Sequence, residues 1–272
     1  MPHMLIFGLG YTAGRLADRL RADGWRITAT RRAADAEALA FDDEAAVRTA
    51  IATATHILSS VPPEAEADPV LTRYGAELAA APALWIGYLS STGVYGDAAG
   101  AWVDEGSPVG TGRRTARAAA DRAWGALRPD MRRFRLPGIY GPGRSALERV
   151  REGKAHRIDL SAQVFSRVHV DDIVAGVIAS FDGPPGVYNL ADDLPCAQNA
   201  VIEAACDLLG LSHPPLLSLE QAALSPMARA FYAENRRVAN GRAKRLLGWQ
   251  PRHATFLQGL AACLRPASPA TR

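Results

Sequence analysis

The sequence predicts an α/β protein built on a doubly wound parallel sheet, with a smaller C-terminal α/β lobe. Short apolar runs of strand length alternate with helical patterns over roughly the first 140 residues, an order that gives a parallel sheet covered on both faces. A glycine-rich segment follows the first apolar run. The second half is less regular, so we expect a unit at residues 1–143 and a substrate lobe at 144–272, parts of which return to the sheet.

The first strand and the loop after it have the pattern of a dinucleotide-binding motif. Met4–Phe7 reads as a buried strand, and the following GLGYTA matches G-x-G-x-x-A. In this pattern Gly8 permits a tight turn, Gly10 lets a pyrophosphate approach the backbone, and Ala13 lets helix and strand pack closely. The alternative is a turn that only connects packed elements. The motif predicts a Rossmann-type cofactor site formed by Gly8, Gly10, Tyr11, Thr12 and Ala13.

The alternation of strands and helices continues through the first half. The predicted strands after Met4–Phe7 are Trp25–Thr30, Leu39–Phe41, Thr55–Val61, Leu84–Leu89 and Arg132–Leu136. The predicted helices are the one that follows the glycine loop and ends before Gly24, then Ala33–Ala40, Glu44–Ala54, Pro69–Ala80 and Thr115–Leu127. Proline ends the fourth strand and opens the helix at Pro69, as its missing N–H allows. Asp97–Gly112 is expected to be a polar loop.

The second half contains shorter elements. The predicted strands are His156–Leu160, Val164–Val168 and Gly186–Leu190. The predicted helices are Ala146–Glu152, one that begins at Asp171-Asp172 and ends at Phe181, Ala197–Leu209, and two within Asn240–Leu264. We expect an acidic residue to act as the N-cap of the helix that ends at Phe181.

Composition indicates an ordinary globular protein and excludes several classes. The net charge is +3 and the basic residues are interleaved with acids, so we expect no nucleic-acid partner. No apolar run approaches the ~18 residues of a membrane span. The N-terminus lacks a basic region with a small-residue cleavage site, and the three cysteines have no metal-binding or redox spacing. We therefore expect a cytoplasmic protein with reduced thiols, no metal, and a monomeric or homodimeric state.

The end of the second strand predicts the choice of cofactor. NAD-binding units usually have an acid there for the ribose 2′-hydroxyl, whereas this strand ends with Arg31 and Arg32. Guanidinium groups are suited to a 2′-phosphate, so we predict NADP(H) over NAD(H). The alternative is two solvated arginines that open a loop. Asp42 is a candidate for the adenine edge, and Ser60, Val61 and Pro62 are expected to border the cofactor.

Five further segments resemble the extended short-chain dehydrogenase/reductases, the NAD(P)-dependent epimerase/dehydratase family. The matching segments are Ser90–Gly96 (SSTGVYG), Leu136–Gly143 (LPGIYGPG), Val168–Asp172 (VHVDD), Val187–Leu190 (VYNL) and Leu246–Trp249 (LLGW). They occur in the family's order over nearly the whole chain. The resemblance implies an NAD(P)-dependent oxidoreductase or epimerase that acts on a small molecule, with Thr92 as a catalytic residue and Pro137 and Gly138 beside the cofactor.

The resemblance also implies a Tyr-x-x-x-Lys pair for proton transfer, which this sequence lacks. The matching helix places Arg113 at the tyrosine position and Arg117 at the lysine position. Arginine stays protonated in proteins, so Arg113 cannot act as a general acid or base near neutral pH. Arg117 can still bind a ribose hydroxyl of the cofactor. Phe165 stands where many sugar-nucleotide enzymes have an arginine, and although Arg167 is nearby, a nucleotide-sugar substrate is doubtful.

Three residues are candidates to replace the missing acid. Tyr95 and Tyr140 lie in loops at strand ends, where substrate is expected, and aromatic packing is the favoured alternative for both. His169 more often stabilises its turn by a hydrogen bond than acts in catalysis. Thr92 is the preferred candidate for contacting substrate, and the alternative is that it caps its loop.

Two functional hypotheses follow. The first is an NADP(H)-dependent oxidoreductase or epimerase-like enzyme with an unidentified substrate and an atypical proton donor. The second is a non-catalytic NADP(H)-binding redox sensor or regulator. The missing Tyr-x-x-x-Lys pair favours the sensor, and the family's other loop motifs favour the enzyme, which we prefer.

Overall fold

The computed structural model describes residues 1–65, 67–112, 115–160, 162–224, 229 and 232–264. In chain order the strands are β1 (His3–Phe7), β2 (Arg26–Arg31), β3 (Leu39–Ala40), β4 (His56–Ser59), β5 (Trp85–Ser91), β6 (Trp102–Val103), β7 (Met131–Leu136), β8 (Gly138–Tyr140), β9 (Arg157–Ile158), β10 (Arg167–His169), β11 (Gly186–Asn189), β12 (Leu216–Leu217) and β13 (Arg237–Val238). The α-helices are α1 (Tyr11–Ala22), α2 (Glu44–Thr53), α3 (Pro69–Ala79), α4 (Thr115–Leu127), α5 (Ala146–Arg151), α6 (Val170–Ala179), α7 (Gln198–Leu209), α8 (Gly241–Leu247) and α9 (Phe256–Leu264).

The central sheet confirms the predicted fold class. Its seven strands are all parallel and lie in the order β11-β7-β5-β4-β1-β2-β3. Strand order reverses between β1 and β4, and ligands of such sheets bind beyond the carboxyl ends of the strands at this point. The loops that follow Phe7 and Ser59, which pair across this junction, therefore mark the expected site.

Alternating side chains of β1 supply both faces of the sheet. Met4 and Ile6 pack into a core that includes Leu16 of α1, whereas Leu5 and Phe7 pack into a second core on the opposite face. All of β1 is buried, as expected of a central parallel strand. This packing fixes where β1 ends and the glycine loop begins.

The second half adds a smaller core and returns to the sheet. Helices α5, α7 and α9 form a separate apolar cluster that includes Leu147, Ile202 and Phe256. β11 pairs with β7 at the edge of the central sheet. β8, which directly follows β7, forms a separate parallel pair with β10. The division after residue 143 stays a prediction.

The helix predicted over Ala33–Ala40 is wrong, because residues 33–38 form an irregular turn between β2 and β3. The Asp35 carboxylate accepts a hydrogen bond from the Glu37 N–H at 2.8 Å, and the Asp35 N–H donates to the Ala38 carbonyl at 3.0 Å. Such side-chain hydrogen bonds compete with helix formation.

Three smaller predictions also need correction. The N-cap of α6 is His169 rather than an acid, because its Nδ1 accepts from the Asp171 N–H at 3.2 Å. The strand expected at Val164–Val168 is displaced to β10, and the loop predicted at Asp97–Gly112 contains β6, which pairs with β13. Within the described residues, no helix has the length and apolar character needed to cross a membrane.

Candidate functional site

A cavity of about 820 Å³ lies beyond the carboxyl ends of β1, β4, β5 and β7. It coincides with the point where strand order reverses. Ten of the residues selected from the sequence line it: Gly10, Tyr11, Thr12, Ser60, Pro62, Thr92, Arg117, Pro137, Gly138 and Tyr140. Eight others do not line it: Gly8, Ala13, Arg31, Arg32, Asp42, Val61, Tyr95 and His169. Arg113 lies outside the described residues.

The glycine loop has a different geometry at each small residue. Gly8 has φ +85°, and a Cβ added there would lie 2.9 Å from Cγ2 of Val61. A Cβ added to Gly10, the N-cap of α1, meets no atom within 4 Å, so the space in front of this residue is open. Ala13 is fully buried against the sheet. These three positions fit a dinucleotide whose pyrophosphate approaches the N-terminus of α1 at Gly10.

The loop after β4 supports the glycine loop from the neighbouring strand. The Ser60 hydroxyl donates to the Gly8 carbonyl at 3.0 Å, and the Val61 side chain packs against Gly8. Ser60 and Pro62 line the cavity, whereas Val61 does not. Val61 therefore contacts the glycine loop through Gly8.

Tyr11 connects α1 to the loop after β8. Its hydroxyl donates to the Pro142 carbonyl at 3.0 Å. The guanidinium carbons of Arg15 and Arg144 lie 5.9 and 5.5 Å from the centre of its ring. Arg144, which the sequence analysis did not select, also lines the cavity and adds positive charge beside the open space at Gly10.

Arg31 and Arg32 lie outside the cavity lining and are paired with acids. The Arg31 guanidinium binds the carboxylates of Asp35 and Glu37. Arg32 is 95% exposed, with its Nη2 3.2 Å from an oxygen of Glu64. Asp42 is exposed and leaves the capping of α2 to the next residue. A 2′-phosphate at this edge would meet acids as well as arginines.

Thr92 begins a 3-10 turn that ends at Tyr95, immediately after β5. The Ser91 hydroxyl accepts the Gly93 N–H at 3.1 Å and so caps the turn. The Thr92 residue is 4% exposed and lines the cavity. The capping hydrogen bond that the sequence also allowed for Thr92 is therefore made by Ser91.

Tyr95 belongs to a buried polar network rather than to the cavity lining. Its hydroxyl donates to Oδ1 of Asn189 at 2.7 Å and accepts from Nη1 of Arg135 at 3.0 Å. Burial raises the pKa of Tyr95. The hydroxyl therefore stays protonated, with both partners supplied by the protein.

Asp121 is the centre of this network and was not selected from the sequence as a site residue. It is fully buried and accepts from the Ser90 hydroxyl at 2.6 Å, from Nε and Nη2 of Arg135 at 3.1 and 2.8 Å, and from Arg133 at 2.8 Å. Ser90 lines the cavity. Arg133 and Arg135, two of the three arginines in the largely buried strand β7, were the signal that an acid lies nearby, because a buried guanidinium is costly without a partner.

Tyr140 lines the cavity through a largely buried ring. Among the described residues its hydroxyl has no hydrogen-bond partner, and it packs against Gly259. Burial raises the pKa of Tyr140. The phenol therefore stays protonated near neutral pH, and its buried hydroxyl lies against Gly259 rather than in the open part of the cavity.

His169 is buried beside Cys263, whose Sγ lies 3.7 Å from Nε2 of His169. Burial and the neighbouring His253 lower the pKa of His169 to about 4. The imidazole is therefore neutral near pH 7, and its Nδ1 is occupied by the capping hydrogen bond.

His169, Asp172 and His253 have possible metal-ligand atoms within 4.8 Å of one another. Most of these atoms already have partners. The backbone N–H groups of Arg252 and His253 donate to the two Asp172 oxygens at 2.7 and 3.1 Å, and Nδ1 of His253 lies 3.0 Å from the same carboxylate. The cluster fastens the start of α6 to the segment before α9.

Arg117 lines the cavity at the position that the resemblance assigns to the family lysine. Burial raises the pKa of Tyr88, and the positive charge of Arg117 opposes this shift. Arg167 and Phe165 both line the cavity, and Nη1 of Arg167 donates to the Phe165 carbonyl at 3.0 Å. The cavity lining therefore includes an arginine here, although Phe165 occupies the position where many sugar-nucleotide enzymes have one.

Glu234 and Arg236 are further cavity residues that the sequence analysis missed. Glu234 is 8% exposed, and Nη1 of Arg236 donates to Oε2 of Glu234 at 3.0 Å. Arg236 also bonds the Gly96 carbonyl at the end of the Thr92 turn. They follow no family motif in the sequence, and only the fold brings them to the cavity.

One solved structure resembles this chain in sequence as well as in fold over nearly its full length. A functionally unknown conserved protein from Silicibacter pomeroyi is 41% identical, with 97% of this chain and 98% of that chain covered and a TM-score of 0.89. No known protein-family profile matches this chain.

More distant structures share the fold. The human epimerase family protein SDR39U1, solved with NADPH, is 19% identical over 95% of this chain and 97% of its own, with a TM-score of 0.75. The dTDP-glucose 4,6-dehydratase DesIV from Streptomyces venezuelae, solved with NAD and TYD, is 16% identical over 95% and 94%, with a TM-score of 0.72.

One curated protein, 3-diazoavenalumate denitrifying reductase from a Streptomyces species, is 30% identical over 139 residues. The match covers 47% of this chain and 45% of the reductase, so the chain spans less than half of that relative.

Proposed function

This chain belongs to the family of the functionally unknown protein from Silicibacter pomeroyi, and on that premise we propose that it is a nicotinamide-dinucleotide-dependent oxidoreductase or epimerase-like enzyme that prefers NADP(H). The observation that carries the proposal is the open space at Gly10. It adjoins the N-terminus of α1 and belongs to the same cavity as Thr92 and Arg117.

In this proposal the dinucleotide lies along the carboxyl ends of the strands. Gly10, Tyr11 and Thr12 hold its pyrophosphate, Ser60 and Pro62 border its middle, and Arg117, Pro137 and Gly138 border its nicotinamide end. The nicotinamide supplies hydride transfer when bound. Thr92 orients the substrate, and the rest of the cavity receives it.

The preference for NADP(H) rests on the charge of Arg31 and Arg32 at the end of β2. Guanidinium groups bind phosphates with paired N–H donors. The human protein of the same fold was solved with NADPH, although several other neighbours of that fold contain NAD. Asp42 remains a proposed contact for adenine.

A non-catalytic NADP(H)-binding sensor is the second candidate. It is favoured by the absence of a Tyr-x-x-x-Lys sequence and by Tyr95, whose hydroxyl is bonded to Asn189 and Arg135. A sensor and an enzyme bind the cofactor alike, and they differ in whether bound NADPH is consumed.

Thermal unfolding with NADPH, with NADH and without ligand tests the shared part of the proposal. A ligand that binds only the native state raises the midpoint, and at 100 times its Kd it adds about 2.7 kcal/mol. We expect both dinucleotides to raise the midpoint, NADPH more than NADH at equal concentration. No rise with either ligand would refute the proposal. Loss of NADPH absorbance with a panel of aldehydes and ketones then favours the enzyme over the sensor.

A further inference from the structure

Arg31, the residue expected to bind the 2′-phosphate, is flanked by two carboxylates. It is the last residue of β2. Its Nη1 contacts Asp35, and its Nη2 lies 3.2 Å from Oε2 of Glu37. All three side chains are more than one third exposed. The acids come a few residues later than the acid that usually ends this strand in NAD-binding units.

The backbone holds both acids in this place. The Asp35 carboxylate accepts the Glu37 N–H, and the Asp35 N–H donates to the Ala38 carbonyl. Pairing of Arg31 with Ala40 in the sheet closes the turn. The Glu37 N–H and the Arg31 guanidinium lower the pKa of Asp35, so this group is charged at neutral pH.

We infer that Asp35 and Glu37 determine how strongly this protein distinguishes NADP(H) from NAD(H), by acting as counter-ions that oppose a 2′-phosphate at Arg31. The inference rests on the proposed function, because it presumes that a dinucleotide binds with its adenosine ribose at the end of β2.

Charge balance gives the direction of the effect. A phosphate monoester carries close to two negative charges at neutral pH. To bind Arg31 it must displace two carboxylates and remain within a Debye length of both. A 2′-hydroxyl carries no charge and meets no such penalty. Removal of either acid should therefore strengthen NADPH binding and leave NADH binding unchanged.

The size of the effect is limited by solvent. Exposed ion pairs are weak and are screened by salt. We therefore expect each neutralised acid to tighten NADPH binding by about fivefold, and both together by more than tenfold. The difference should shrink in 0.5 M salt.

The variants are Asp35→Asn, Glu37→Gln and the double variant. Asparagine keeps the side-chain oxygen that accepts the Glu37 N–H, so the turn is preserved. Asp23→Asn is the matched control. Asp23 also pairs with an arginine four residues away, Arg19, at 2.8 Å, but it lies at the C-terminal end of α1, away from the cavity.

Isothermal titration of each full-length variant with NADPH, NADH, 2′,5′-ADP and 5′-ADP tests the inference. The two ADP probes isolate the 2′-phosphate from the nicotinamide. We expect tighter binding of NADPH and 2′,5′-ADP only, and no change in Asp23→Asn. The inference is overturned if NADPH binding is unchanged or weaker, or if NADH tightens equally. If the wild-type protein binds neither dinucleotide, the proposed function itself has failed.

Discussion

Gly10→Ala should abolish tight dinucleotide binding without harming the fold. Gly10 has φ −93°, which alanine adopts without strain, and its added Cβ meets no protein atom within 4 Å. The methyl group instead enters the space assigned to the pyrophosphate. Gly8→Ala is the contrasting variant, because Gly8 has φ +85° and its Cβ would press on Val61.

The two substitutions therefore have opposite signatures. A left-handed conformation costs a non-glycine residue about 1–2 kcal/mol, so Gly8→Ala should lower the free energy of unfolding by about that amount or more. Gly10→Ala, at the N-cap of α1, should lower it by less than about 1 kcal/mol. Loss of one hydrogen bond to a charged phosphate, at about 1.5–3 kcal/mol, weakens binding by about 10- to 100-fold.

Thermal unfolding with and without NADPH measures both quantities. At a concentration 100 times the wild-type Kd, the ligand adds about 2.7 kcal/mol to the wild type but only about 0.4 kcal/mol to a variant that binds 100-fold more weakly. The midpoint shift should fall from about 5–10 °C to about 1 °C. The reasoning is refuted if Gly10→Ala binds NADPH like the wild type, or if it unfolds as easily as Gly8→Ala without ligand.

Three further substitutions test other parts of the structure. Asp121→Asn should lower the free energy of unfolding by about 3–5 kcal/mol in urea titrations, because it leaves Arg135 buried without its counter-ion, and a loss below about 1 kcal/mol would contradict the role of the network. Tyr95→Phe removes the hydroxyl bonded to Asn189 and Arg135, so it should cost about 1–3 kcal/mol of stability but leave NADPH affinity within about twofold; a larger loss of affinity would place Tyr95 in the binding site. Asp192 lies in the loop after β11 and is 2% exposed, and burial raises its pKa to about 7. The free energy of unfolding should therefore fall as pH rises from about 4 to about 7, because over this range the unfolded chain binds fewer protons than the native protein. Asp192→Asn should match the wild type near pH 4 and exceed it at pH 8 by up to about 4 kcal/mol in urea titrations, and equal stability at pH 8 would show that this carboxyl is not desolvated.

The sequence predicted the sheet and the position of the cavity because their signals are local. The run Met4–Phe7, the glycines at 8 and 10 and the following helix are contiguous, and each has one strong structural interpretation. Pro69 and the alternation of strands and helices were equally informative. These features together place the cavity at the junction of β1 and β4.

The errors arose where side chains or distant segments decide the structure. The alanines after Arg31 favour a helix, but Asp35 forms a turn and the short connection between β2 and β3 requires one. His169 rather than an acid caps α6, because an imidazole nitrogen can accept the same N–H.

Several cavity residues that come from the second half of the chain were not predictable from local patterns. Arg144, Glu234 and Arg236 follow no motif, and only the fold brings them to the cavity that Thr92 lines. The pairing of Asp121 with Arg135 likewise joins α4 to β7. A buried arginine predicts that a partner exists but not which acid supplies it.

A crystal structure of the complex with NADPH tests the central claim most directly. The account predicts the pyrophosphate in front of Gly10 at the N-terminus of α1, the 2′-phosphate at Arg31, and the nicotinamide in the cavity beside Thr92 and Arg117. A structure with NADPH bound elsewhere, or with this cavity empty at saturating NADPH, would contradict it.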